Sequence, residues 1–323
     1  MTSTQPLPDE VVRIEAPTPF PVGPVNIYLV RREEPILVDT GPNTDEAYDA
    51  LVRGLNEAGY KISDIRHILI THGHLDHMGL LGRLLDECQA QTYAHPVAVK
   101  RSREYDEDSE SARRFYAGVM REAGAPADVI ELVTSESASY RPYGAQVVIG
   151  HSLDDLDEVL GYRVYHAPGH SPSDLLYVCE EKGYTLTGDH ILERMSPNPL
   201  IRRPPPGQPR PKSLVELQQS LKRTRELELG WCLPGHGDPF RDYRGVIDSL
   251  LERHEQRSAK ILSFLREEPL SAYEVTQRLF PELAPQHLYL GLSVAIGHLE
   301  LLETNGLVTA GRRDEVAVYA PVA

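Results

Sequence analysis

The segment Thr71-His72-Gly73-His74-Leu75-Asp76-His77 follows directly on the apolar run His67-Ile68-Leu69-Ile70. A short continuous apolar run of this kind reads as a buried strand. The strand therefore delivers His72, His74, Asp76 and His77 into the loop at its end. His72 and His74 are two apart, so in extended chain their rings can point to the same side. Asp76 and His77 come where the chain turns into a helix. Neutral imidazole and carboxylate are good ligands for zinc and similar ions. Ligands this dense suit two adjacent metals better than one, because a single tetrahedral ion rarely draws its whole set from so tight a loop.

Two metals need more ligands, and three downstream loops offer them. Ala167-Pro168-Gly169-His170 follows the strand-like run Tyr162–Tyr165, and Thr187-Gly188-Asp189 follows Tyr184–Leu186. Leu233-Pro234-Gly235-His236 follows the short apolar run Gly230–Cys232. Each places one metal-capable side chain at a strand exit, beside Gly or Pro that fixes a sharp turn. Loops at one end of a strand layer can converge on one cleft. The other histidines, His67, His95, His151, His166, His190, His254, His287 and His298, lack ligand spacing and are expected to be ordinary surface or core residues.

Outward from this centre the chain alternates strands and helices. Val25–Val30 and Pro35–Asp39 read as strands, and residues 44–59 as a helix closed by Gly59. A helix over roughly 77–88 and a strand at Gln91–Ala94 follow. Residues 97–140 are charged and helical in character, with an apolar stripe of Phe115, Tyr116, Val119 and Met120, and read as an insertion. Strands resume at Gln146–Ile149, Tyr162–Tyr165, Leu175–Cys179 and Tyr184–Thr187, which implies a layered α/β arrangement. Between Pro197 and Lys212, seven prolines (197, 199, 204, 205, 206, 209 and 211) require extended irregular chain. The expected domains are a catalytic one over 1–250 and a small α+β one over 251–323. The latter has three helices and a strand pair around Arg312 and Arg313, a winged-helix-like pattern.

Composition narrows the function. With 33 basic and 48 acidic residues the formal net charge is −15, a field that repels polyanions such as nucleic acids. Met1 to Glu10 has no basic region followed by an apolar run, so no secretory signal is expected, and no apolar stretch approaches the length of a membrane span. Three scattered cysteines, Cys88, Cys179 and Cys232, make no disulfide framework. A cytoplasmic protein is expected, with a homodimer as the default assembly.

The four ligand loops in this order resemble the metallo-β-lactamase superfamily over roughly residues 10–245. The resemblance implies an αββα sandwich with metals at one edge. It implies that His72, His74 and His170 hold one divalent metal, that Asp76, His77 and His236 hold the second, and that Asp189 bridges them. Leu37-Val38-Asp39-Thr40-Gly41 matches the superfamily's early Asp motif, which makes Asp39 the residue that orients a ligand histidine. Zinc is the expected metal, and iron or manganese suit the same donors. Such a pair would share and acidify a water, with Asp76 accepting its proton as the catalytic residue.

True β-lactamases of the superfamily are exported and lack a bridging Asp; flavodiiron members replace a motif His with Glu. Hydrolysis of a small ester or thioester is the first reading, similar to hydroxyacylglutathione and acyl-thioester hydrolases. An endoribonuclease or phosphodiesterase is the second, and a non-catalytic binding protein on an inactive scaffold the third, disfavoured because every ligand position is filled. From Ala284 to Gly311 there is no Lys or Arg, so the C-terminal module lacks a row of groups for a groove or phosphates. It reads as a lid wall or dimer contact. Arg202 and Arg203, with Arg210 and Lys212, make the proline-rich loop basic, and they are the expected contacts for an anionic small-molecule substrate. Charge reversal at Arg202 and Arg203 should raise KM for such a substrate; steady-state kinetics showing an unchanged KM would remove that role.

Overall fold

The computed structural model describes residues 7–105, 109–204 and 207–322. Pro205 and Pro206 of the proline-rich stretch, and residues 1–6 of the amino-terminal segment, lie outside the described residues. By contact the chain divides into two units, one of residues 1–107, 141–197 and 224–246, the other of 108–140, 198–223 and 247–323.

The first unit contains two sheets. One is six-stranded, running in order β1 (Val11–Ala16), β2 (Val25–Val30), β3 (Ile36–Val38), β4 (His67–Leu69), β5 (Gln91–Ala94) and β6 (His151–Ser152). Its first three strands are antiparallel neighbours, and β3 to β6 are parallel. The second sheet holds β7 (Glu158–Val159), β8 (Tyr162–His166), β9 (Leu175–Cys179), β10 (Tyr184–Gly188) and β11 (Trp231–Pro234) in the order β11-β10-β9-β8-β7.

Strand alternation explains why the sheets pack. In β2, Ile27 and Leu29 join a core with helical residues such as Leu51, Leu55 and Leu81. The alternate Tyr28 and Val30 face a second core with Tyr162, Val164, Leu175, Tyr177 and Leu186 of the other sheet. Successive side chains point to opposite faces, so a strand covered on both sides is apolar throughout. Each fully buried aliphatic side chain there contributes roughly 1.5–3 kcal/mol.

Helices α1 (Asp45–Glu57), α2 (Leu75–Met78), α3 (Leu81–Leu85) and α4 (Pro96–Arg103) complete this unit. Thr44 caps α1 by accepting from Ala47 N–H, and Gly59 follows at φ +84°. The single helix expected over 77–88 is instead two short ones. The reason is the turn after β3: Thr40 N–H takes the His77 carbonyl, and Leu80 N–H bonds the Gly41 carbonyl rather than its own helix. The strand expected over 146–149 does not form either. Val147 N–H goes to the Ser102 carbonyl, Gly150 N–H goes to Thr92 Oγ1, and pairing begins only at β6.

The second unit contains α5 (Ser109–Glu122), α6 (Ala127–Ser139), most of α7 (Ser213–Arg225) and of α8 (Tyr243–Glu267), then α9 (Ala272–Leu279) and α10 (Leu288–Thr304). A three-stranded sheet of β12 (Leu270–Ser271), β13 (Val308–Arg313) and β14 (Val316–Pro321), in order β12-β14-β13, closes it. Met120, Ile130 and Val133 share one core with Ile261, Leu265, Leu292, Leu299 and Leu302. Among the described residues no helix is long and apolar enough to cross a membrane.

β10 and β11 are parallel, with Leu186 opposite Leu233 and Gly188 opposite Pro234, so the loops after them emerge side by side. At the other end of the pair Gly230 sits at φ +66°, and a Cβ there would stand 2.0 Å from the Gly183 carbonyl oxygen. That oxygen accepts from Trp231 N–H at 2.9 Å. Gly230→Ala should therefore cost at least about 2 kcal/mol through clash and backbone strain. An unchanged urea midpoint would show that the two backbones have room.

Candidate metal centre

The exits of β4, β8, β10 and β11 meet at one edge of the first unit. His72, His74, His170 and Asp189 form one group, and Asp76, His77 and His236 another; within each, one ligand atom per residue lies within 4.8 Å of the rest. In the first group His74 Nδ1 is 2.9 Å from His72 Nε2 and 3.0 Å from His170 Nε2. In the second, His236 Nε2 is 3.3 Å and His77 Nε2 3.9 Å from Asp76 Oδ2. Asp189 faces both groups. Its Oδ2 is 3.5 Å from His170 Nε2 and 3.5 Å from His236 Nε2, and its Oδ1 is 3.5 Å from His77 Nε2.

In His77, His236 and His72 the ring nitrogen on the side away from the cluster is engaged. His77 Nδ1 donates to Asp39 Oδ2 at 2.7 Å, and His236 Nδ1 donates to the Pro24 carbonyl at 2.7 Å. Thr71 Oγ1 donates to Asp39 Oδ2 at 2.7 Å and lies 3.1 Å from His72 Nδ1, whose N–H it can accept. Each hydrogen bond fixes a tautomer with its lone pair toward the site. Asp39 thus holds His77 directly and His72 through Thr71, while its Oδ1 accepts Thr71 N–H at 2.8 Å.

Electrostatics and satisfaction both call for cations. Asp39, Asp76 and Asp189 are all buried here. Burial works against the Asp189 carboxylate, but His236, His77 and His170 pull its pKa well below the ordinary value. Burial likewise disfavours charge on His77, yet Asp189, Asp39 and Asp76 drive its pKa well above the usual imidazole value. His77 Nε2, His236 Nε2 and Asp189 Oδ1 are buried without a hydrogen-bond partner, which in a protein interior calls for an explanation. A divalent ion in each group would answer it, since donor types and spacing both fit. Packing is close: a Cβ on Gly235 would lie 2.4 Å from Asp189 Oδ1 and 2.5 Å from His77 Cε1.

All seven side chains expected as ligands, with Asp39 behind them, are brought together. Arg202 and Arg203 belong to the second unit, where Arg203 donates to Ser111 Oγ at 2.8 Å and Arg202 acts electrostatically on the Tyr289 hydroxyl. Asp174 escaped the sequence reading. Its Oδ2 accepts Ser171 N–H at 2.7 Å and its Oδ1 lies 3.9 Å from His72 Nδ1. Ser173 Oγ accepts Gly73 N–H at 3.0 Å, so the same turn steadies the histidine loop. His95, Asp154 and His166 also gather within 4.8 Å. However, the two rings stack at 4.1 Å and 16°, so their in-plane lone pairs run side by side instead of converging.

Asp39→Asn keeps the shape but removes the charge that orients His77 and His72. Metal affinity should fall about 10–100-fold, read by competition with a chelating indicator; unaltered affinity would deny Asp39 that role.

Comparison with known proteins agrees with the geometry. The family model described as "Metallo-beta-lactamase superfamily" matches residues 20–236. The Bacillus subtilis protein named "Probable metallo-hydrolase YqjP" is 33% identical over 309 residues, 94% of this chain and 95% of the relative. A metallo-beta-lactamase family protein of Thermus thermophilus superposes with a TM-score of 0.79 at 28% identity, covering 97% of this chain and 99% of that one. An atrochrysone carboxyl ACP thioesterase of Aspergillus fumigatus is 24% identical over 255 residues, 79% of this chain and 47% of the relative. The chain belongs to the metallo-beta-lactamase superfamily and is a metal-dependent hydrolase.

Proposed function

We propose that this hydrolase cleaves a small-molecule ester or thioester, with zinc as its metal. His72, His74 and His170 would hold one ion, Asp76, His77 and His236 the other, and Asp189 both. Ions held there supply Lewis acidity at a carbonyl oxygen and acidify water. The observation that carries the reading is the position of Asp76. Its side chain is 12% exposed against 0% for His77 and 1% for His236, so it is the group of its set most open to a substrate. Its carboxylate can accept a proton as water adds to the acyl carbon. It can then return that proton to the alkoxide or thiolate released when the C–O or C–S bond breaks.

Likeness to a fungal thioesterase supports an acyl substrate, and the net charge of −15 disfavours a polyanion. In the second unit Glu300 and Glu303 of α10 pair with Arg210 and Lys212. That leaves the α10 face without the basic row that a nucleic-acid reader needs. We read this module as winged-helix-like in form but not as a reader of nucleic acid, and the protein as cytoplasmic, with Cys88, Cys179 and Cys232 all free.

A panel of thioesters, lactones, aryl phosphodiesters and single-stranded RNA, assayed with metal content measured alongside, tests the proposal. Thioester or ester turnover with two zinc ions per chain is expected. Asp76→Ala should lower kcat by at least about 100-fold while the circular dichroism spectrum stays native. Wild-type turnover in that variant would remove Asp76 from the chemistry. Preferential RNA cleavage that is lost in His74→Ala would instead favour the nuclease reading.

A further inference from the structure

Helix α8 carries a second cluster of functional groups, all within the second unit. Arg253 and Arg257 are one turn apart, as are His254 and Ser258, so two neighbouring stripes lie on one side of the helix. Ser258 Oγ is 2.8 Å from His298 Nδ1 on α10, and the His254 and His298 rings stand 5.9 Å apart at 74°. Both histidines are 1% exposed.

This group has cations but no acid. Elsewhere in the unit Arg210 pairs with Glu300, Lys212 with Glu303, Arg278 with Glu267 and Glu268, Arg312 with Glu122, and Arg313 with Glu274. Among the described residues neither Arg253 nor Arg257 has an ion pair or side-chain hydrogen bond. Arg253 Nε and His254 Nδ1 are moreover buried without any partner. Burial, with Arg257 and Arg253 beside it, pushes His254 down to about 4; burial, His254 and Arg257 push His298 down to about 3. Burial and Arg253 also lower the pKa of Arg257. Arg253 Nε and His254 Nδ1, buried and unpartnered beside the half-buried Arg257, are arranged for a ligand from outside.

We propose that Arg253, His254, Arg257 and His298 form an anion-binding site that takes a phosphate group, free or carried as a monoester on a small molecule. Two guanidinium forks beside imidazole nitrogens offer more donors than one carboxylate needs. They match the three terminal oxygens and double charge of a phosphomonoester. The site uses none of the residues assigned to hydrolysis, and its test does not read turnover.

The experiment follows the imidazole resonances of histidine-labelled holoenzyme, assigned with His254→Gln and His298→Gln. The titrants are inorganic phosphate, phenyl phosphate and acetate at constant ionic strength. Saturable shifts of His254 and His298 with phosphate or phenyl phosphate, and not with acetate, are expected. A preference for phenyl phosphate would assign the site to a phosphorylated small molecule, and a preference for inorganic phosphate to the free ion. R257Q should weaken binding by about tenfold or more, the worth of a charged hydrogen bond. R257K, which keeps the charge but loses the fork, should fall between it and wild type. Resonances unmoved by either phosphate, or moved equally by acetate, or titrating identically in wild type, R257K and R257Q, would overturn the proposal.

Discussion

The hydrogen bonds around the Asp39 carboxylate are the constraint on which the hydrolytic site depends. One side chain accepts from the Thr71 amide and hydroxyl and from His77 Nδ1. Those bonds join the turn after β3 to the loop after β4 and orient two of the inward-facing histidines. Asp39 itself has φ 59°, a left-handed conformation that a non-glycine residue adopts at some cost, although Asp is among the more tolerant types. Such strain persists where surrounding contacts over-determine it. Here the bonds to the carboxylate and the Asp39 N–H to the Leu69 carbonyl do so.

Each unit handles burial of charge differently. In the first, buried carboxylates face buried imidazoles, and the remaining inward lone pairs are left for ions. In the second, basic side chains meet acids along α10, where Glu300 is buried beside Arg210, and at the end of α8 and along β13, where exposed pairs such as Arg312 with Glu122 are worth about 0–1 kcal/mol each. These contacts set register more than they stabilise. The apolar core of α6, α8, α9 and α10 supplies most of the cohesion.

Much of the site was legible in the sequence because its ligands come in short strand-to-loop segments with Gly or Pro beside them. His72 to His77 are nearly contiguous, and His170, Asp189 and His236 each end a recognisable strand. Asp174 was not legible, since a lone carboxylate acquires meaning only when folding puts it beside His72 Nδ1. The same holds for Arg253, His254 and His298: their significance lies in the lack, among the described residues, of an ion pair to the arginines beside them, which local spacing does not reveal. Apolar periodicity located most of the long helices, though not α7, and most strands. It failed at 77–88, where the His77 carbonyl and Leu80 amide are drawn to the Thr40–Gly41 turn, and at 146–149, where a helix carbonyl and a threonine side chain capture the amides. Both misses are tertiary hydrogen bonds overriding a local pattern.

The interleaved composition of the two units has a consequence for biosynthesis. Every strand of the six-stranded sheet lies between Val11 and Ser152, so that layer can assemble while the ribosome is still making the remainder. The other unit draws on segments beginning at 108, 198 and 247, so α5 and α6 emerge long before their partners Leu292 and Leu299 exist. Their apolar faces must wait, exposed, for the last part of the chain, which is the kind of interval in which chaperones bind nascent polypeptides. Removing the carboxy-terminal residues would make that wait permanent.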